Sequence, residues 1–367
     1  MKKIVYLIST LHRTGPTNVL AGIIKNLDRT RFTPVVITLS REPDLGKSWW
    51  PELEYNGVEL YSLNLSRWQN LFVGNKKLEQ LVNKIKPDLV HCHCFRSAVM
   101  AAKVLKEYNK VVTIHCDYDI DFKMAYGKIQ GFLMSYFYSH ALYKFDKRVA
   151  CSKMLANLLN RKYPNMKFDF VDNGVDTEKF CPAKNKTALR KKLGLPLDQK
   201  IVIWSGAFIP RKAPLTMVQA IKQMPQDKYF FIFCGNGLLS SICREELKNR
   251  KDVSFTGYIT NIEEYYQASD IYISTSLSEG LPLAVLEAMS CGLPCVLSDI
   301  AQHRYILEEQ ENITFLYKFD AQSLVKQIEN IAQKYSSEFS YFARELVLNK
   351  FSSLYMANKY RNFYDKI

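Results

Sequence analysis

Short apolar runs alternate with longer amphipathic segments along the whole chain. In the first half, strand-length apolar runs fall at 3–8, 33–39, 58–63, 89–93, 111–115, 148–151 and 168–171. Between several of them lie helix-length stretches at 17–27, 76–85 and 96–107, with a long one from about 121 to 145. The alternation then repeats. Strands are predicted at 201–205, 229–234, 253–256, 271–275, 294–298 and 313–316, and helices at 215–223, 238–249, 262–267, 283–291 and 321–335. Strand and helix alternating in this way predict a parallel sheet with helices on both faces.

The repeat of the pattern divides the chain. The break falls near Cys181-Pro182-Ala183, followed by a Lys-rich stretch that ends at Leu195-Pro196. A chain of 367 residues exceeds one ordinary core. We therefore expect an α/β protein of two Rossmann-like domains, 1–181 and 182–350, with ligands at the carboxyl ends of the strands in a cleft between them.

Composition adds limits. The N-terminal MKKIVYLISTLHRTG has an apolar run of only about eight residues and no small-residue cleavage site, so it reads as a first buried strand rather than a signal peptide. No apolar stretch reaches the roughly 18 residues of a membrane span. Nine cysteines scattered through strands and helices fit reduced thiols in the cytoplasm better than a disulfide framework. The net charge of +14 is uneven: +10 lies in residues 1–181 and +4 in the remainder. A basic half points to an anionic partner, a phosphate-bearing ligand or an anionic membrane face, or to a merely solvated basic surface. Nucleic acid is not expected, because no recognition motif accompanies the charge.

The sequence His91-Cys92-His93-Cys94 sets four potential metal ligands in a row. Side chains alternate along a strand, which puts the histidines on one face and the cysteines on the other. One strand cannot wrap all four around a tetrahedral ion, and no second ligand cluster completes a site. We expect no metal. The cysteines read as buried thiols, and His93 as a strand-end residue at the mouth of the cleft.

The stretch Ser278-Glu279-Gly280-Leu281-Pro282-Leu283 follows a predicted strand, and the helix it opens carries Glu287. Pro282 suits the first helical position, and the free N–H groups around Leu281 and Leu283 can bind an anion. Two carboxylates beside an anion-binding helix start suit a sugar nucleotide. A capped structural helix with a solvated Glu is the plainer explanation of this stretch taken alone.

It does not stand alone. Asp172-Asn173-Gly174-Val175-Asp176 is followed by Phe180-Cys181-Pro182, then Ser205-Gly206-Ala207-Phe208-Ile209-Pro210-Arg211-Lys212. Cys234-Gly235-Asn236-Gly237, Phe255-Thr256-Gly257-Tyr258 and Ala268-Ser269-Asp270 come next. In this order and spacing the set resembles the retaining glycosyltransferases of family 4, which have the GT-B fold. The resemblance covers nearly the whole chain and is strongest from Asn173 to Asp299.

It implies roles residue by residue. Glu279 would contact the transferred sugar and Glu287 the ribose. The backbone of the stretch Gly280, Leu281, Pro282 and Leu283 would hold phosphates or sugar, the N–H groups coming from its non-proline residues. Lys212 would sit on the diphosphate, with Arg211 as a candidate helper, and Tyr258 would lie near the base. Gly15, in the first strand-to-helix loop, would let its backbone approach the phosphates. His115 corresponds to the family's cleft histidine, which touches the donor sugar, and His93 is a candidate for the acceptor side. The catalytic set is then His115, Lys212 and Glu279, with no obligatory metal or cofactor. The aromatic segment 351–367 resembles the terminal helix that crosses back onto the first domain.

Two positions depart from the family. Ala207 stands where an Arg is common after Gly206, and the first loop reads Arg13-Thr14-Gly15-Pro16 where two adjacent glycines are frequent.

The resemblance implies transfer of a hexose or N-acetylhexosamine from a nucleotide-diphosphate sugar, UDP being the commonest in the family. The acceptor would be a glycan or a polyprenyl-diphosphate-linked sugar, as in capsule and other surface polysaccharides. Trp49-Trp50-Pro51 and the segment 131–138 are candidates for touching lipid, although a core helix is the favoured reading of 131–138. The protein would be cytoplasmic, or peripheral at the inner face of the membrane. An inactive nucleotide-sugar-binding subunit, a sugar-nucleotide epimerase and a phosphorylase remain as alternatives.

Overall fold

The computed structural model describes residues 1–42, 44–66, 73–307, 314–334 and 337–367, which form two compact units. Unit 1 comprises Met1–Gly174 and Ser353–Ile367; unit 2 is Val175–Ser352.

In unit 1 seven parallel strands carry the core: β1 (Lys2–Ile8), β2 (Phe32–Thr38), β3 (Glu59–Ser62), β4 (Leu89–His93), β5 (Lys110–Ile114), β6 (Lys147–Ala150) and β7 (Asp169–Phe170). Their order in the sheet is β3-β2-β1-β4-β5-β6-β7. The helices between them are α1 (Gly15–Lys25), α2 (Trp50–Tyr55), α3 (Asn75–Ile85), α4 (Cys94–Val104), α5 (Tyr118–Tyr126), α6 (Lys128–Leu142) and α7 (Lys153–Lys162). The central strands β4 and β5 are buried at every position, as expected of strands covered by helices on both faces.

Unit 2 repeats the plan with β8 (Lys200–Ser205), β9 (Tyr229–Cys234), β10 (Val253–Gly257), β11 (Ile271–Ser274), β12 (Cys295–Ser298) and β13 (Thr314–Tyr317). The order β10-β9-β8-β11-β12-β13 is again parallel throughout. Its helices are α8 (Lys186–Leu193), α9 (Pro214–Gln223), α10 (Ser240–Glu246), α11 (Ile262–Ala268), α12 (Leu283–Ser290), α13 (Ala301–Leu307), α14 (Ala321–Lys334) and α15 (Ser337–Lys350). In each sheet the strand order reverses beside the first strand, between β1 and β4 and between β8 and β11. That switch point leaves a crevice at the carboxyl ends of the two strands, where doubly wound sheets bind ligands.

The last helix, α16 (Ser353–Asp365), returns to unit 1 and packs on α1. Buried hydroxyls and one imidazole bind it to the sheet. His91 bonds through Nδ1 to Tyr364 Oη and through Nε2 to Thr113 Oγ1, both at 2.8 Å. Thr113 Oγ1 meets Tyr360 Oη at 2.8 Å, and Tyr6 Oη donates to Tyr364 Oη at 3.3 Å. All five side chains are within a few per cent of complete burial, so each polar atom needs these partners.

The structure corrects several expectations. The division falls at Gly174/Val175 rather than near Cys181, because residues 175–181 are bonded into unit 2. Val175 N donates to Phe351 O at 2.8 Å, and Ser290 Oγ donates to Phe180 O at 2.5 Å. The expected long helix of 121–145 is two helices, broken at Gly127, whose φ of +81° ends one and begins the other. The segment 131–138 is no core helix: Phe132, Leu133, Tyr136 and Phe137 are about half exposed. Trp49 is held within its own unit, donating from Nε1 to Asn18 Oδ1 at 3.0 Å under the Arg13 guanidinium. Cys94 leaves β4 and opens α4 with φ +71°, so it does not share a strand face with Cys92. Ile313 and Tyr335, expected ends of a strand and a helix, lie outside the described residues.

His91→Ala removes a buried ring and strips Tyr364 Oη of a partner. We expect it to cost about 3 kcal/mol in urea unfolding followed by circular dichroism, against about 1 kcal/mol for Tyr364→Phe. A loss below about 1 kcal/mol for His91→Ala would show that the histidine does not bind α16 to the sheet.

Candidate active site

The loops at the unit 2 switch point are built from close backbone contact. Gly206 N donates to Cys234 O at 2.9 Å, and Phe208 N donates to Asn236 O at 3.0 Å. A Cβ on Gly235 would stand 1.9 Å from Gly206 O, so no other residue fits there without moving that loop. The two glycine motifs are therefore two sides of one contact. Trp204, Phe208 and Phe233 pack beneath them.

On this base the 3-10 turn Pro210–Lys212 is stitched to the loop after β11. Leu277 N donates to Arg211 O at 2.8 Å, Thr275 Oγ1 donates to Lys212 O at 2.7 Å, and Trp204 Nε1 donates to Thr275 Oγ1 at 2.9 Å. The side chains then converge. Lys212 Nζ lies 2.5 Å from Glu279 Oε1, and Arg211 Nη1 lies 2.9 Å from Oε2 and 2.8 Å from Ser278 O. Glu279 is 7% exposed. Burial works to raise its carboxyl, but the charges of Lys212 and Arg211 outweigh it and hold the group at about 2. The cluster thus keeps a fixed carboxylate and one surplus positive charge.

Behind Glu279 lies a buried polar row that sequence reasoning missed. His303 Nδ1 faces Ser298 O at 2.7 Å, and its Nε2 faces Ser274 Oγ at 3.3 Å. Ser298 Oγ donates to Ser276 O at 2.5 Å, and the Ser276 hydroxyl in turn bonds Glu279. Burial lowers His303 to about 4, so it supports the loop as a neutral ring. No sequence motif marked it; only its place just beyond the strand 294–298 could have.

Pro282 proves to be the N-cap of α12 rather than its first helical residue, and the helix begins at Leu283, where the pattern placed its start. Gly280, Leu281 and Pro282 are buried. Glu287 sits one turn into α12, and its Oε2 accepts from Tyr266 Oη at 3.4 Å, while Tyr266 Oη pairs with Ser205 Oγ at 2.6 Å. Burial pushes the Glu287 carboxyl up to about 7 against the pull of Lys179 and of the Tyr266 hydroxyl. Tyr258 follows Gly257, whose carbonyl accepts from Gly235 N at 2.8 Å, and this puts it at the same edge of the sheet. The motif Asp270 is structural: its carboxylate ties Lys186, Arg190 and the N–H of Ile201 together.

In unit 1, Gly15 is the first residue of α1 rather than part of the loop, and it is exposed with open space where a Cβ would stand. His115 follows β5 directly. Its Nε2 lies 3.1 Å from His93 Nδ1, and the rings stack. Burial lowers His115 to about 4 and His93 well below its ordinary value, so both rings are neutral near pH 7. His115 is partly exposed, whereas His93 is fully buried behind it. His93 therefore presents no surface to an acceptor; it orients His115. The expected residues form two groups, one along the carboxyl ends of the strands of each sheet, with Gly15, His93 and His115 in unit 1 and the rest in unit 2.

Two family descriptions match the chain and together span most of it. Residues 13–179 match Glycosyltransferase Family 4, and residues 185–345 match Glycosyl transferases group 1. The chain belongs to the family 4-type glycosyltransferases, and it is a sugar-transferring enzyme with the GT-B pair of Rossmann-like domains. It is 25% identical over 306 residues to the UDP-Gal:alpha-D-GlcNAc-diphosphoundecaprenol alpha-1,3-galactosyltransferase of Escherichia coli, covering 78% of this chain and 77% of that one. It is 23% identical, across 100% of this chain and 98% of that one, to the O-antigen biosynthesis glycosyltransferase WclY of Escherichia coli. Among solved structures, Anabaena HepE in complex with UDP shares the fold with a TM-score of 0.81 at 18% identity over the full length of both chains.

The Glu287 carboxyl supplies a test of the buried site. Its folded pKa of about 7 lies above its ordinary 4.5, so between these values the folded chain keeps a proton that the unfolded chain has released. Its contribution to stability is full below the lower value and is lost as pH rises through the upper one. Glu287→Gln carries no such proton. Relative to wild type it should gain stability between about pH 5 and about pH 8, by on the order of 3 kcal/mol. Melting temperatures of both proteins across this range read the effect, and a difference that does not change with pH would contradict it.

Proposed function

We propose that the enzyme transfers a hexose or N-acetylhexosamine from a UDP-sugar to a lipid-linked sugar during surface-polysaccharide synthesis, with retention of anomeric configuration. The observation that carries this reading is the Lys212–Glu279–Arg211 cluster at the unit 2 switch point. Its surplus positive charge suits a diphosphate, and its carboxylate can accept hydrogen bonds from sugar hydroxyls. The names of the Escherichia coli relatives and the UDP held by HepE support the donor and the acceptor class.

The chemistry then follows from charge. As the bond from the anomeric carbon to the diphosphate oxygen breaks, negative charge grows on the leaving phosphate. Lys212, assisted by Arg211, is a preformed counter-charge for it, and the amides at the start of α12 add donors. No metal is required in this scheme. Arg211 supplies the second cation that Ala207 cannot. The acceptor hydroxyl bonds to the same face of the anomeric carbon, and its proton passes to the departing phosphate oxygen. Glu287 holds the ribose hydroxyls beside the Tyr258 edge. His115 is neutral, with Nε2 engaged by His93, and offers Nδ1 to a hydroxyl of the donor sugar. The lipid-linked acceptor places the enzyme at the anionic inner face of a membrane.

UDP added without metal should raise the melting temperature of the wild type, and the rise should shrink in Glu287→Ala. Lys212→Ala should lower kcat with the sugar donor about 100-fold. Proton NMR of the product should show the donor's anomeric configuration. Binding of UDP without turnover on any lipid-linked acceptor would favour the inactive-subunit alternative, and no response to UDP on folded protein would remove the donor site.

A further inference from the structure

Helices α5 and α6 form a rigid hairpin with an unusual outer face. A Cβ on Gly131 would stand 2.6 Å from the Lys123 backbone, so the two helices touch main chain to main chain. Tyr138 and Phe122 face inward and pack on Phe95 at ring distances of 5.7 Å and 5.3 Å. Asp119 fixes the start of the hairpin, accepting from Tyr163 Oη at 2.6 Å and pairing with Lys162. The buried positions of α6 are Gly131, Ser135, Tyr138, Ala141 and Leu142.

The other face is apolar and open. Ile129, Phe132, Leu133, Tyr136 and Phe137 recur at helical spacing, with exposures from 49% to 81%. Met124 and Tyr126 extend the patch onto α5, and Tyr143 lies just beyond α6. Contiguous exposed apolar surface of this kind marks an interaction site. Its charge is one-sided. Residues 122–145 contain no Asp or Glu, and the exposed Lys123, Lys128 and Lys144 border the apolar side chains.

We propose that the outer face of the α5–α6 hairpin is the surface by which the enzyme docks on an anionic lipid bilayer. The inference deepens the lipid-linked acceptor reading and rests on it for its purpose, although the surface stands on its own observations. Aromatic and aliphatic side chains enter the acyl boundary while lysines reach up to the headgroup phosphates. Tyr126, Tyr136 and Tyr143 suit the same boundary, with an apolar ring and a polar tip. The 15 residues of α6 span about 22 Å, and no described helix is long and apolar enough to cross a membrane, so α6 lies in the plane of the surface. A second copy of the chain fits less well, because symmetric pairing through this face would bring lysine against lysine across an apolar contact.

Vesicle co-sedimentation of the purified full-length chain tests the proposal. Vesicles of phosphatidylglycerol with phosphatidylethanolamine should pellet the wild type, and pure phosphatidylcholine should pellet at least about tenfold less. Phe132→Ser with Phe137→Ser, and separately Lys123→Glu with Lys128→Glu and Lys144→Glu, should each weaken the anionic binding at least about tenfold. Both variants change only exposed side chains and should keep the wild-type melting temperature and the wild-type shift with UDP. Failure to bind anionic vesicles, or binding untouched by both variants, overturns the proposal while a retained UDP shift leaves the donor site standing. A dimer on size exclusion that the Phe132→Ser, Phe137→Ser variant abolishes, with no vesicle binding by the wild type, assigns the face to a second copy instead and also overturns it.

Discussion

A carboxylate shut away from water keeps its charge only if that charge is answered, and Glu279 is answered twice. Lys212 and Arg211 sit on adjacent residues of one short turn, and each reaches a different oxygen of the same carboxylate. Removing Glu279 would leave two neighbouring cations without their counter-charge in a nearly dry site, which is costly in proteins generally. This explains why so much backbone is committed to the turn. Leu277, Thr275 and Trp204 bind it to the loop after β11, and the Gly206–Gly235 contact sets the height of the loop after β8. A charged cluster made this way is held in place by backbone contacts, and if it receives a diphosphate, little reorganisation is left for the reaction.

The second constraint lies in unit 1 and is made of neutral groups. The two histidines of the His-Cys-His-Cys row carry different tasks although they share a strand face. His91 has both nitrogens taken by hydroxyls and binds the returning helix α16 to the sheet. His93 faces forward onto His115. Their rings lie 4.5 Å apart, so the packing that fastens α16 also backs the ring that orients His115. Two adjacent protonated imidazoles would repel in such a core, and burial keeps them uncharged.

Much of this was legible in the sequence because parallel strands write their burial as nearly unbroken apolar runs, and two sets of such runs repeat along the chain. The motifs around Gly206, Gly235 and Glu279 also mark positions where backbone geometry or charge tolerates few residues. What was not legible has local causes. The helix expected over 121–145 looked continuous because Gly127 is the one break in a long apolar stretch, and a lone glycine is a weak stop signal. The segment 131–138 looked like core because an exposed apolar face and a buried one read alike in composition. Helix α8 was passed over as a Lys-rich stretch, although Asn185 caps its start and Gly194 ends it. His303 and Ser276 support Glu279 only through the fold, since Ser274 on β11 meets His303, 29 residues further along the chain and bonded to Ser298, only once β11 and β12 pair.

The diphosphate's share of binding is the quantity that decides whether the Lys212–Glu279–Arg211 cluster is a donor site. Isothermal titration of UDP and of uridine, without metal, into wild type and Lys212→Gln measures it directly. An electrostatic clamp requires UDP to bind at least about tenfold more tightly than uridine in the wild type, or about 1.4 kcal/mol, with most of that advantage lost in the variant. Equal affinities for UDP and uridine in the wild type, or an undiminished preference for UDP in Lys212→Gln, would contradict it.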